Sequence, residues 1–184
     1  MKVYIGRYPK KAGEQKIKVH IDKWDTWNMD HTLAHIIHPM LVQLKATKHG
    51  APNVDDEDVP EVLRSTSAPP KLNDYDVDEF HFDRWDYVLD EMIWSFSQEL
   101  EGNWQDQYYS GKSDHWHQAY DKDNNPIGEL FRYPDKGPKG YEYTQIVEGP
   151  NHTFKVDMEG LKTHHDRIKN GLRLFGKYYQ NLWD

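Results

Sequence analysis

The amino-acid sequence predicts an α+β fold, three long helices packed with a small antiparallel β-sheet, as a single domain over residues 1–184. Three observations predict it. Apolar residues recur at helical spacing in three separate segments. Near the start, residues 3–8 and 16–22 alternate apolar and polar side chains as paired strands do. Between the second and third helical segments, Gly, Asn and Pro punctuate short aromatic runs, the pattern of small strands joined by turns. The chain is long enough to bury a core, and seven Trp, twelve Tyr and six Phe supply one. Those aromatics argue against disorder despite a mean hydropathy of −1.00.

Residues 3–22 read as an antiparallel hairpin, with turn chemistry at 9–14. Residues 24–44, WDTWNMDHTLAHIIHPMLVQL, read as the first helix, with Asn28 or Asp30 as N-cap. At helical pitch Leu33, Ile36, Ile37, Met40, Leu41 and Leu44 fall on one side, and His31, His35 and His38 on the other. Pro39 has no amide hydrogen, so the His35 carbonyl is freed and a bend is expected there. Residues 48–52 end the helix. A long acidic, Pro-containing connection follows at 53–78; it reads as a surface loop with a short helical turn near Glu61, or as a lid.

Residues 79–101 form the second helix. Trp85, Val88, Leu89, Met92, Ile93, Phe96 and Leu100 make its core face, while Phe80, Tyr87 and Trp94 recur every seven residues on the opposite side. Apolar material on two sides predicts a helix sandwiched between neighbours. A small β region spans 104–156, with strands in HWHQAY, GELFRY, YEYTQIV and HTFKVD and the N-terminal hairpin as a candidate neighbour. The last helix runs over 158–182, its buried stripe being Met158, Leu161, His165, Ile168, Leu172, Phe175, Tyr179 and Leu182.

Composition excludes several classes of function. With 23 basic and 31 acidic residues the net charge is −8, so a phosphate backbone is repelled unless a local basic patch intervenes; no Lys/Arg run provides one, and nucleic acid is not an expected partner. The absence of cysteine removes disulfides, thiol nucleophiles and Cys-type zinc sites. No apolar stretch approaches a membrane span and the start has no signal-like apolar region, so neither membrane insertion nor secretion is expected. The phosphate-cradling glycine loops and the G-x-S-x-G nucleophile elbow are absent from the sequence.

Two constellations carry chemistry. The His31/His35/His38 stripe and the Asp83/Asp86/Asp90 stripe between the two apolar faces of the second helix could meet across a bundle and hold a divalent transition metal, with Glu91 as base. Trp24, Trp27, Tyr87 and Trp94, with Asp25 and Asp30 as polar anchors, could line a pocket that stacks on a flat ligand; Lys48 and Arg64 are the cations available to its anionic part. Elsewhere, His115 and His117 share one strand face, and His164-His165-Asp166 invites comparison with HD-type hydrolases. There His165 points into the apolar stripe and Asp166 lies about 100° away on the helix.

Three blocks, residues 24–44, 48–71 with 84–94, and 167–184 (RIKNGLRLFGKYYQNLWD), resemble a family of tailed-bacteriophage proteins with no assigned activity. The resemblance implies a phage accessory protein in the host cytoplasm, and a counter-defence role by analogy. A non-catalytic binding module is favoured over an enzyme. It would hold a small anionic or nucleotide-like ligand, or a host protein, between the first two helices under the 53–78 loop. A metal-dependent phosphohydrolase built on the two stripes is the alternative. The third reading, a minor virion assembly protein, predicts a flat apolar patch and a homo-oligomer.

Overall fold

The computed structural model describes residues 2–5, 15–132 and 135–183; the expected turn at 9–14 lies outside the described residues. The α+β class holds, with helices α1 (Met29–Thr47), α2 (His81–Glu101) and α3 (Met158–Lys177). The described strands form three separate small antiparallel sheets rather than one. The chain divides into two compact units, Met1–Gly102 with His164–Asp184, and Asn103–Thr163.

In the first unit, β1 (Lys2–Ile5) and β2 (Ile17–His20) make a two-stranded ribbon of their own, with Val3 opposite Val19 and Tyr4 opposite Lys18. It does not pair with the later strands, which corrects the expected continuity. The helix expected from residue 24 begins at Met29. Residues 23–28 are turns, closed by bonds three residues apart: the Asp25 amide donates to the Asp22 carbonyl at 3.0 Å and the Trp27 amide to the Trp24 carbonyl at 3.1 Å. Asn28 stands at the N-cap position, its carbonyl accepting the Thr32 amide at 3.0 Å. α1 then runs through Pro39 to Thr47.

The buried face of α1 is rotated from the one expected. Ala34 and Leu41 are buried and Ile37 and Leu44 pack beside them, whereas Leu33 and Met40 are exposed. Helix α2 lies antiparallel to it: His31 at the start of α1 meets Glu99, and Lys48 just past its end meets Asp86. Trp85, Val88, Leu89 and Met92 of α2 are fully buried. Gly102, at φ +64, closes the helix in the left-handed conformation that glycine adopts at least cost.

The buried stripe of α3 also differs from expectation. Ile168, Gly171, Leu174 and Tyr178 face the core; Leu172 and Tyr179 are exposed, and His164 rather than His165 turns inward. Gly171 is the cause. A Cβ there would stand 1.9 Å from Ser95 Oγ and 2.4 Å from the Glu91 carbonyl oxygen, so only glycine lets α3 approach α2 this closely. Hydropathy periodicity assigns glycine no weight and misses it.

The 53–78 connection is fastened rather than loose. It forms three 3₁₀ turns, Asp56–Asp58, Glu61–Leu63 and Ser65–Ser67. The Asp56 carboxylate accepts the Ser65 amide at 2.7 Å and hydroxyl at 2.6 Å. Arg84 donates to the Leu63 carbonyl at 3.0 Å and pairs with Asp78 at 2.5 Å. The buried Asp58 carboxylate receives Arg173 at 2.6 Å, the Tyr178 hydroxyl at 2.7 Å and Lys177 at 2.5 Å.

These contacts set the protonation of the strap. Burial opposes ionisation of Asp58, but hydrogen bonds from Lys177, Tyr178 and Arg173 outweigh it and hold the carboxyl below its ordinary value. Hydrogen bonds from Arg84 do the same for Asp78. Hydrogen bonds to Asp55 and Asp58 raise Lys177, and burial followed by the bond to Asp58 pushes Tyr178 up to about 12.

In the second unit, β4 (His115–Tyr120) lies between β5 (Pro126–Phe131) and β6 (Tyr143–Glu148), while β3 (Tyr109–Ser110) pairs with β7 (Lys155–Val156). Asn124, at φ +63, turns the chain between β4 and β5. His117 stacks on Phe131 and His115 lies 4.9 Å from the His152 ring. Asp114 is buried and accepts Arg132 at 2.6 Å and the Trp116 indole at 3.1 Å. Among the described residues no helix is long and apolar enough to cross a membrane.

Replacing Gly171 by Ala overpacks the α2–α3 contact and should lower unfolding free energy by about 1–3 kcal/mol in urea titration. Ser95→Ala in that background should recover only part of the loss, because the Glu91 carbonyl remains in the way. A second expectation concerns pH. The depressed folded values of Asp58 and Asp78 mean their contribution is complete above the unfolded value, about 4, and is lost as pH falls through the folded ones. The raised values of Lys177 and Tyr178 place the opposite loss above about pH 10. Asp58→Asn should cost on the order of 2–3 kcal/mol at neutral pH and flatten both limbs of the stability–pH curve.

Candidate functional site

The aspartate stripe of α2 does face α1, but lysines meet it. Lys45 Nζ lies 2.5 Å from both Asp90 oxygens and Lys48 Nζ lies 2.8 Å from Asp86 Oδ1. Asp83 is exposed. The sequence pattern hid this because Lys45 and Lys48 sit four and seven residues beyond Leu41, on the buried face that Ala34 and Leu41 define.

The histidines are engaged elsewhere. His31 Nδ1–H donates to the Glu99 carbonyl at 2.9 Å, which leaves Nε2 as an acceptor for His35 Nε2–H at 3.2 Å. His38 is half-buried on the same helix. Among the described residues, the stripes do not gather into one ligand set. The group of acidic ligand atoms that does gather is Asp55, Glu57 and Asp58. The Lys177 ammonium already sits there, 2.7 Å, 3.1 Å and 2.5 Å from the three. An ammonium so placed neutralises the charge a cation would otherwise neutralise.

The expected aromatic pocket is divided between two places. Trp24 is 67% exposed and Trp27 81%, both on the turns before α1, with Asp25 holding the turn backbone. Tyr87 and Trp94 are half-buried on the α3 side of α2. There Arg167 stacks on Trp94 at 3.9 Å and pairs with the buried Glu91 at 2.7 Å, while His164 Nε2 bonds to Gln98 at 2.9 Å. Burial, then the Glu91 charge, raises the Tyr87 phenol. Burial and Arg167 together lower His164. Lys48 is committed to Asp86, and Arg64 is exposed on the strap.

A different surface has the character of a binding site. α1 and the C-terminal segment enclose a groove of about 780 Å³ lined by Ile37, Met40, Leu44, Phe175, Tyr179 and Trp183. Met40 is 59% exposed and Trp183 65%. The last helical turn breaks at Lys177 and resumes as a 3₁₀ turn, Tyr179–Asn181, which brings Leu182 and Trp183 round to the groove.

The chain matches no protein-family model, and no curated protein or solved structure is significantly similar to it.

Chemically, the α1–α2 seam is a set of closed ion pairs, the α2–α3 seam a stacked and paired cation, and the groove an open apolar surface. Sequence reading missed Arg167 and the groove's Trp183; the alignment of Trp94 with a cation on the last helix requires the crossing at Gly171, which hydropathy does not report. Arg167→Gln should raise the pKa of His164 toward the ordinary imidazole value, about 6.5, as read by NMR titration of its ring protons. It should also destabilise the fold, since Glu91 then lacks its cation.

Proposed function

We propose that the chain is a non-catalytic binding module whose groove between α1 and the C-terminal turn accepts an apolar segment of a partner protein. The observation that carries this is the exposure of Met40, Tyr179 and Trp183 around one concave surface. Tyr, Trp and Met are enriched where proteins bind one another, and amphipathic helices seat their apolar faces in such grooves. A nucleotide-like ligand fits less well, because the nearby cations Lys45 and Lys48 are already paired with Asp90 and Asp86. The phosphohydrolase alternative loses support on the same ground. On the implication of the tailed-phage resemblance, we take the partner to be a host protein of the cytoplasm, where occupying a defence factor's docking segment would suffice without chemistry.

Selection from a random-peptide library on the immobilised protein tests this. Recovered peptides should share apolar anchors at i, i+3 or i+4, and i+7, and Met40→Glu should weaken them by at least about tenfold. Met40 is exposed, so the fold should survive the change. Peptides that lack the pattern, or that bind the variant equally, would overturn the groove as the docking surface. In native mass spectrometry a co-purified nucleotide-sized mass would favour the small-ligand reading instead, and a transition metal lost in His35→Ala would favour the hydrolase.

A further inference from the structure

Charge is distributed very unevenly along this chain. Residues 1–23 contain seven Lys or Arg against two Asp or Glu, a net of +5, and the whole carries −8, so residues 24–184 carry −13. Of these, the described strands carry Lys2 and Lys18, and strand pairing places the two on one face. In the β1–β2 ribbon Tyr4 lies opposite Lys18 and Lys2 opposite His20, and directly opposed residues share a face. That face is therefore cationic and aromatic, while Val3, Ile17 and Val19 take the other.

The aromatic character continues past the strands. Lys23 lies over the Trp24 ring at 4.8 Å, and Trp27 follows on the same turn, both indoles largely in solvent. The carboxylates nearby are engaged: Asp22 faces His20 at 3.2 Å and Asp25 accepts the Asp22 amide. From the register and these exposures we infer that the N-terminal ribbon, with its Trp24–Trp27 turn, is a binding surface for single-stranded nucleic acid. Lysines on one face would track a phosphate backbone, and Tyr4, Trp24 and Trp27 offer open rings on which unpaired bases stack. The acidic remainder of the chain does not forbid this, since salt at physiological strength screens exposed charges beyond about 8 Å. The surface is separate from the apolar groove and needs no partner protein.

Fluorescence anisotropy of the full chain with a labelled oligothymidylate tests the inference. Affinity should fall with salt at a log–log slope near −3, the value for about four phosphate contacts on a single strand. Lys16→Glu with Lys18→Glu should weaken binding at least about tenfold and make the slope shallower. Trp27→Ala should weaken it about tenfold at every salt concentration without changing the slope, which a purely electrostatic surface would not do. All three side chains are exposed, and unchanged circular dichroism would confirm the fold. No binding at roughly 0.1 mM, the weak limit of non-specific association, overturns the inference. So does equal affinity for a duplex of the same length, binding unaffected by Trp27→Ala, or association with anionic phosphatidylglycerol vesicles and not with the oligonucleotide.

Discussion

A buried carboxylate organises the first unit. Asp58 receives a guanidinium and an ammonium from the last turns of α3 and a phenol from the residue after it, and it belongs to a strap that would otherwise be an acidic loop in water. Taking a carboxylate out of water is costly, and three donors together offset that cost where one would not. The consequence reaches past the strap. By holding Arg173, Lys177 and Tyr178, Asp58 fixes the angle at which the chain leaves α3, and that angle decides where Tyr179 and Trp183 lie.

The two seams of α2 obey different physics. Toward α1, apolar contacts at Ala34, Ile37 and Leu41 are flanked by the Lys45–Asp90 and Lys48–Asp86 pairs, which leave little charge for chemistry. Toward α3, the backbones come close because residue 171 has no side chain, and around that contact Arg167 covers Trp94. A helix closed on both sides in this way cannot serve as a cleft. In the first unit, open apolar surface remains at the groove between α1 and the C-terminal segment, and open aromatic rings on the N-terminal ribbon and the turn that follows it.

Much of the architecture could be read from residue patterns, and the misreadings have physical causes. The core face of α2 was legible because seven large apolar residues repeat at helical spacing. The inner face of α3 was shifted because its deciding residue, Gly171, contributes nothing to a hydropathy pattern. Lys45 and Lys48 were legible as charges but not as partners of Asp90 and Asp86, since pairing depends on the rotation of α1, and that rotation is set by Ala34, the smallest residue on its face. The basic ribbon face was illegible for another reason. Charges at alternate positions on two strands become neighbours only once Tyr4 is known to oppose Lys18.

The core of the first unit is assembled from two stretches of chain separated by the whole of the second, since residues 103–163 intervene between Gly102 and His164. Asp58 and Tyr178 meet across 120 positions of sequence. A contact of that reach is slow to find, because the intervening chain must first be brought into a closed loop. On a ribosome the order is more severe. The Asp58 carboxylate of the strap and the side of α2 that faces α3 emerge uncovered, and they stay so until α3 follows. During synthesis this protein thus passes through an interval in which one face of its longest helix is bare, and its N-terminal unit is the last to be completed.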